Sequence, residues 1–190
     1  MNYRKALVDL ATKYDCHSIA VPILRDENFL THSGSHLKRA HHFGVEGLIR
    51  HTYEVATIAM QQYEFFKAIH PSLNPRVLFT AALYHDYGKV WDYDFNPDTE
   101  ECKLSDHRRK IHHIQRSALE WNKIAIFLGL PTEFTDEVTH CILSHHGRRE
   151  WGSPVAPLTR EAWILHLSDN ISARVDDCDR VDLATLTSRK

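Results

Sequence analysis

Between residues 45 and 69, Val45, Leu48, Thr52, Val55, Ala59 and Met60 recur at helical spacing, and Pro71 follows just beyond. One stripe of that width predicts a long amphipathic helix. A first helix is predicted over about Tyr3 to Tyr14. Asn74-Pro75 then supplies an N-cap followed by a proline at the first helical position, which opens a helix reaching about Tyr87, near Gly88. Three more are predicted over about Arg109–Leu128, Glu133–His145 and Arg160–Val175. Residues 15–42 show no sustained period and are expected to be irregular, with Pro22 and Gly34 among the breakers. Around residues 90–104, Trp91, Tyr93 and Phe95 alternate with polar residues up to Asn96-Pro97-Asp98, so at most a short hairpin is expected there. The class is all-α, a compact helical bundle. Without repeats or linkers, residues 1–190 are expected to form a single domain: a core of about 29–175, an N-terminal helix and connection over 1–28, and a weakly specified tail over 176–190.

Several of these stripes carry histidine or aspartate where apolar side chains belong. His51 falls in step with Leu48 and Val55, and His85 with Val77 and Ala81. Asp86 lies four residues after Ala82, His145 four after Cys141, and His146 continues the row Phe134, Val138, Ile142. In the last helix, Asp169 shares a face with Ala162, Leu165 and Ala173. Burying one such group without a partner costs several kcal/mol. A buried Asp-His pair would satisfy any two of them. For His51, His85, Asp86, His145, His146 and Asp169 together, one or two divalent cations satisfy the acceptors better than protein hydrogen bonds alone.

Composition narrows the picture. The chain is 43% hydrophobic and 25% charged, with 23 basic against 25 acidic residues and a formal net charge of −2. That balance excludes a surface built to coat nucleic acid, so an anionic substrate would need a local positive site. Cys16, Cys102, Cys141 and Cys178 form no CxxC pair and are expected to be reduced thiols. With no secretory pattern and no apolar run of roughly 18 residues, a cytoplasmic protein is expected. Histidine, at fifteen copies, is the outlier. Imidazole mixed with carboxylate and no thiolate suits manganese, iron, cobalt, nickel or catalytic zinc, with magnesium a further option, better than a structural zinc or calcium cage. The adjacent His85 and Asp86 point about 100° apart on a helix. They can still reach one ion between them, and the aspartate keeps an oxygen for a second.

At these residues the chain resembles the HD superfamily of metal-dependent phosphohydrolases, named for an adjacent His-Asp pair. HHFGVEGLIRHTYEVA at 41–56 is similar to the family's paired histidines, Gly-Gly-Leu and ligand histidine, and AALYHDYGKV at 81–90 to its HDxGK segment. The run LSHHGRREWGSPVAPLTREAWILHLSDNISAR at 143–174 resembles the HD domain of the YhaM-type 3′–5′ exoribonucleases. The resemblance implies that His51, His85, Asp86 and Asp169 hold a first ion. It implies a second ion bridged by Asp86 and held by His113 with His145 or His146; the preference for His113 over His112 rests on the resemblance. Lys89 lies on the same helical side as Asp86 and would approach a substrate phosphate if the helix continues past Gly88; otherwise it is a solvated helix end. His41 and His42 are candidates for lining a phosphate pocket, or are surface residues. Arg148 and Arg149 would contact a nucleotide phosphate or merely solvate a loop.

The expected activity is hydrolysis of a phosphoester in a nucleotide or an oligonucleotide 3′ end by a metal-activated water, with Asp86 and Lys89 as the catalytic pair. The partner would be a nucleotide or short single-stranded nucleic acid. The alternatives are a single-metal hydrolase of a small nucleotide or cyclic dinucleotide, and a non-catalytic nucleotide-binding module. Two departures stand out. Glu46 replaces the first glycine of the family's Gly-Gly pair. These residues also leave no room for the OB-type domain that precedes the HD domain in YhaM-type enzymes, which weighs against processive RNA degradation.

Overall fold

The computed structural model describes residues 1–178. Ten helices and one hairpin follow in the order α1 (Tyr3–Lys13), α2 (His17–Ile23), α3 (Glu27–Thr31), α4 (Gly47–Phe66), α5 (Pro75–Tyr84), α6 (Lys89–Asp92), β1 (Tyr93–Asn96), β2 (Glu101–Leu104), α7 (Asp106–Lys110), α8 (His113–Phe127), α9 (Thr132–Ser144) and α10 (Arg160–Cys178), with a 3-10 turn over Arg149–Trp151. The all-α class is as expected. The strands pair antiparallel, Tyr93 facing Leu104 and Asn96 facing Glu101, as one short hairpin.

Side chains start the helices where the sequence places caps. Asn2 accepts from the Lys5 N–H, Asp26 from that of Asn28, and Asn74 from those of Arg76 and Val77. Each satisfies a donor that a helix start leaves open, worth about 1 kcal/mol. α5 is buried from Val77 through Tyr84 and forms the centre of the bundle, packed against α4, α9 and α10. Leu48, Val55, Leu78, Leu83, Trp121, Ile142 and Leu165 fill the core between them. The Trp121 indole donates to the Thr135 carbonyl at 3.1 Å, and the Tyr84 hydroxyl to the Ile19 carbonyl at 2.8 Å.

Several expected boundaries shift. The stretch after α1 holds two short helices, because α2 and α3 are too brief to show a period and are stabilised by burying Ile19, Ala20, Ile23 and Phe29. Val45 lies outside α4, which begins after Glu46 in the left-handed region at φ 60°. α5 stops at Tyr84 rather than Tyr87. The helix expected over Arg109–Leu128 breaks at Ile111 and His112, where His112 adopts φ 70° and ψ 152°, and restarts at His113. Residues 176–178 of the expected tail extend α10; residues 179–190 lie outside the described residues. Among the described residues, no helix is long and apolar enough to cross a membrane.

Close backbone approaches set the site's surroundings. A Cβ on Gly47 would lie 1.9 Å from the His42 carbonyl oxygen, so the loop carrying His41 and His42 presses directly on the start of α4. The essential glycine of the Gly-Gly position is thus Gly47. Glu46 in place of its neighbour adds only the cost of a left-handed non-glycine residue, about 1–2 kcal/mol.

Candidate metal centre

Four histidines of the cluster share one device. His85 Nδ1 faces the Ala82 carbonyl at 2.8 Å, His145 Nδ1 that of Ile142 at 2.7 Å, and His146 Nδ1 that of Trp151 at 2.7 Å. His113 Nδ1 faces Asp92 Oδ2 at 3.2 Å. A carbonyl or carboxylate can only accept, so each Nδ1 carries the hydrogen and each Nε2 is left as an electron-pair donor. This is how protein scaffolds orient imidazoles toward cations. His51 is held at Nδ1 by the Ser172 hydroxyl at 3.1 Å, which in turn donates to Glu54 Oε2 at 2.9 Å.

Helices far apart in the chain bring these groups together in two sets, with Asp86 between them. His51, His85, Asp86 and Asp169 place one ligand atom each within 4.8 Å of one another, and so do His113, His145 and His146. Asp86 Oδ2 belongs to the first set, 3.3 Å from His51 Nε2 and 3.5 Å from His85 Nε2. Asp169 Oδ1 lies 3.0 Å from His51 Nε2 and 3.8 Å from His85 Nε2. Asp86 Oδ1 turns to the second set, 3.5 Å from His113 Nε2 and 3.6 Å from His145 Nε2. Neighbouring ligands on one ion lie about 3.0–3.4 Å apart when each sits about 2.1 Å from the metal; two of these separations fall in that range and the other four exceed it by a few tenths of an ångström.

Unpaired atoms provide the stricter test of fit. Asp86 Oδ1, His113 Nε2 and His145 Nε2 are buried without a hydrogen-bond partner. Each such atom costs about 1–3 kcal/mol. All three are acceptors turned toward one another, so they need a cation or a hydrogen-bond donor that the protein itself does not supply. The donor set therefore fits a divalent cation in the second group as well as in the first.

The electrostatics agree. Burial pushes the pKa of His85 down to about 4, that of His113 to about 3 and that of His146 to about 4, keeping these imidazoles neutral. Burial opposes ionisation of Asp86, but Lys89 and His85 outweigh it and hold the carboxyl well below its usual range. Asp169 is likewise held down against burial, chiefly by His51. Neutral imidazole and ionised carboxylate are the forms a cation requires. His51 differs: burial works against its charge, but hydrogen bonds to Asp169 and Asp86 raise its pKa to about 9. A cation entering the first set would displace that proton.

Lys89 is buried, and its Nζ lies 2.6 Å from Asp86 Oδ2, because the turn continues past Gly88 with the Lys89 N–H bonded to the Asp86 carbonyl. It shares with His41, Asp86 and Asp169 the wall of a cavity of about 210 Å³. His42 lies behind that wall, its ring 4.8 Å from His51 and its Nε2 2.8 Å from Glu54. Neither Arg148 nor Arg149 lines the cavity, whereas Arg174 does. A larger cleft of about 760 Å³ beside Phe66 and Trp163 lies away from the histidine cluster, so size alone does not mark the site.

Sequence reasoning missed the supports. Asp92 accepts from the His113 N–H at 3.0 Å and from its ring, and from His107 Nδ1 at 2.9 Å. Nothing in the segment Trp91-Asp92-Tyr93 announces this. Ser172 was accessible in principle, since it lies three residues after Asp169 on α10.

The HD domain family matches residues 48–174, and the chain belongs to that family. Within it, the chain is similar to proteins described as 3′-5′ exoribonuclease YhaM. It is 34% identical over 140 residues to that of Geobacillus sp. (strain WCH70), 36% over 143 residues to that of Halalkalibacterium halodurans, and 34% over 140 residues to that of Bacillus subtilis (strain 168). Each match covers 74% of this chain and 41–42% of the relative, so the chain spans about two fifths of these relatives' length. No solved structure matches it significantly.

Proposed function

We propose that this chain is a metal-dependent phosphohydrolase that cleaves a phosphodiester at the 3′ end of a short single-stranded nucleic acid, with residues 1–190 acting as one catalytic domain. The observation that carries this reading is Asp86, a buried carboxylate whose two oxygens face two separate sets of ligand atoms. His51, His85, Asp86 and Asp169 would hold one ion, and Asp86, His113, His145 and His146 a second. Manganese, iron, cobalt or nickel is the expected occupant. When bound, such ions supply Lewis acidity toward the phosphate and lower the pKa of water.

The chain's own residues do the rest. Asp92, Ser172 and the carbonyls of Ala82, Ile142 and Trp151 fix the imidazoles so that no reorganisation is needed as charge develops. Burial works against the charge on Lys89, yet Asp86 outweighs it and raises the lysine's pKa. It therefore stays protonated at neutral pH, able to bind a phosphate oxygen or protonate the departing one. His41 on the same wall offers a further contact for the phosphate. The relatives' described activity supports the choice of RNA and of the 3′ end.

The test is a turnover screen with manganese, cobalt and nickel against phosphomonoesters, phosphodiesters, cyclic dinucleotides and short RNA and DNA strands. Cleavage of single strands from the 3′ end is expected, and Asp86→Ala should lose metal and turnover together. A fully active Asp86→Ala enzyme, or turnover confined to monoesters, overturns the reading.

A further inference from the structure

The segment after His146 is tied to the ligand cluster at one end and opens on the cavity at the other. His146 uses Nδ1 to donate to the Trp151 carbonyl at 2.7 Å, so one imidazole serves both the His113 set and the backbone of Trp151. Gly147, at φ 81°, packs so tightly on His166 that a Cβ would lie 2.4 Å from its ring. The Trp151 and Ser153 N–H groups both bond to the Arg148 carbonyl, at 3.1 and 3.2 Å. Held from three sides, Trp151 nevertheless leaves 53% of its surface exposed. Trp151 forms part of the cavity wall that Asp86, Lys89 and Asp169 also build.

The size of the cavity gives that exposure a use. At about 210 Å³ it is smaller than sites that enclose a whole small-molecule ligand, roughly 300–1,000 Å³. A phosphate and its sugar fill such a space, and the attached base must stand at the mouth. A rigid, half-exposed indole there presents the flat apolar surface that an unpaired base needs.

We infer that Trp151 is the stacking platform for the nucleobase next to the scissile phosphate, and that it is aligned with the metal centre through His146. The inference rests on the phosphodiesterase reading above and adds to it a substrate requirement. The Arg148 guanidinium, 4.9 Å from the Trp151 ring centre, braces the platform and adds positive charge near it. Stacking tolerates any base, because every base has a π-face. The enzyme should therefore require a base at this position without selecting which one.

The experiment compares a short RNA with the same strand carrying an abasic 3′-terminal nucleotide, in the wild-type chain, Trp151→Phe and Trp151→Leu. Wild type should favour the intact strand in kcat/KM by about ten-fold or more. Trp151→Phe should keep most of that ratio, and Trp151→Leu should bring it close to one. A ratio unchanged in Trp151→Leu, or absent in wild type, overturns the inference. Tryptophan fluorescence during titration with the intact strand reads stacking without turnover. Quenching present in wild type and lost in Trp151→Phe supports the platform even if no metal yields cleavage, a result that would sink only the phosphodiesterase reading. Binding with equal quenching in both proteins removes Trp151 from the contact.

Discussion

Asp86→Asn separates a shared ligand from a merely structural carboxylate. The substitution keeps the side chain's shape and removes its charge. Lys89 then loses the partner 2.6 Å away, and breaking a buried pair costs about 3–5 kcal/mol. Part of this is offset, because the new amide can donate to His113 Nε2 or His145 Nε2, both buried without a partner. The variant should therefore fold with reduced stability. Each ion bound only by the native state stabilises it by about 2.7 kcal/mol at a hundred times its Kd. For a domain of this size that raises Tm by roughly 5–11 °C per ion. Thermal denaturation with EDTA and with manganese, together with metal content by elemental analysis, reads the effect. Wild type should show the rise and retain two ions; Asp86→Asn should show a much smaller rise and bind both ions more weakly, since the His113 set loses its one carboxylate and the first set keeps only that of Asp169. A variant that keeps either ion at full affinity refutes the bridging role.

Other perturbations probe the supports. Asp92→Asn should weaken binding at the His113 set about 10–100-fold while sparing the other ion, as two calorimetric phases would show; unchanged affinities would dismiss Asp92 as an orienting group. Gly88→Ala would put a Cβ 2.1 Å from the His113 carbonyl oxygen, and the forced separation of α6 and α8 should cost about 1–3 kcal/mol or more in urea unfolding. A denaturation midpoint equal to wild type would contradict that approach. In EDTA, stability should fall as pH drops from 6.5 toward 4. Burial lowers the His32 pKa from 6.5 to about 4, so the unfolded chain takes up a proton in that window while the folded chain resists it, a loss of about 3 kcal/mol for this residue alone. His32→Phe should flatten that slope, and an identical slope in the variant would assign the effect elsewhere.

What the sequence determined by itself is the set of long helices and the inward direction of their polar residues. A helix repeats every 3.6 residues, so His51, Asp86 and Asp169 could be read as core-facing from neighbours a turn away. The same local rule says nothing about elements shorter than two turns, which is why α2, α3 and α6 escaped it. Nor does it specify a chain break. His112 and His113 were indistinguishable by period, and it is the positive-φ break at His112 that starts α8 at His113, buried and hydrogen-bonded to Asp92. Tertiary structure alone decided that Oδ1 and Oδ2 of Asp86 face different histidines, that Lys89 is buried against Asp86, and that Trp151 lines the same cavity as both. Periodicity is a property of neighbours along the chain, whereas ligand geometry to within an ångström depends on how separate helices pack, and that is determined by the whole core at once.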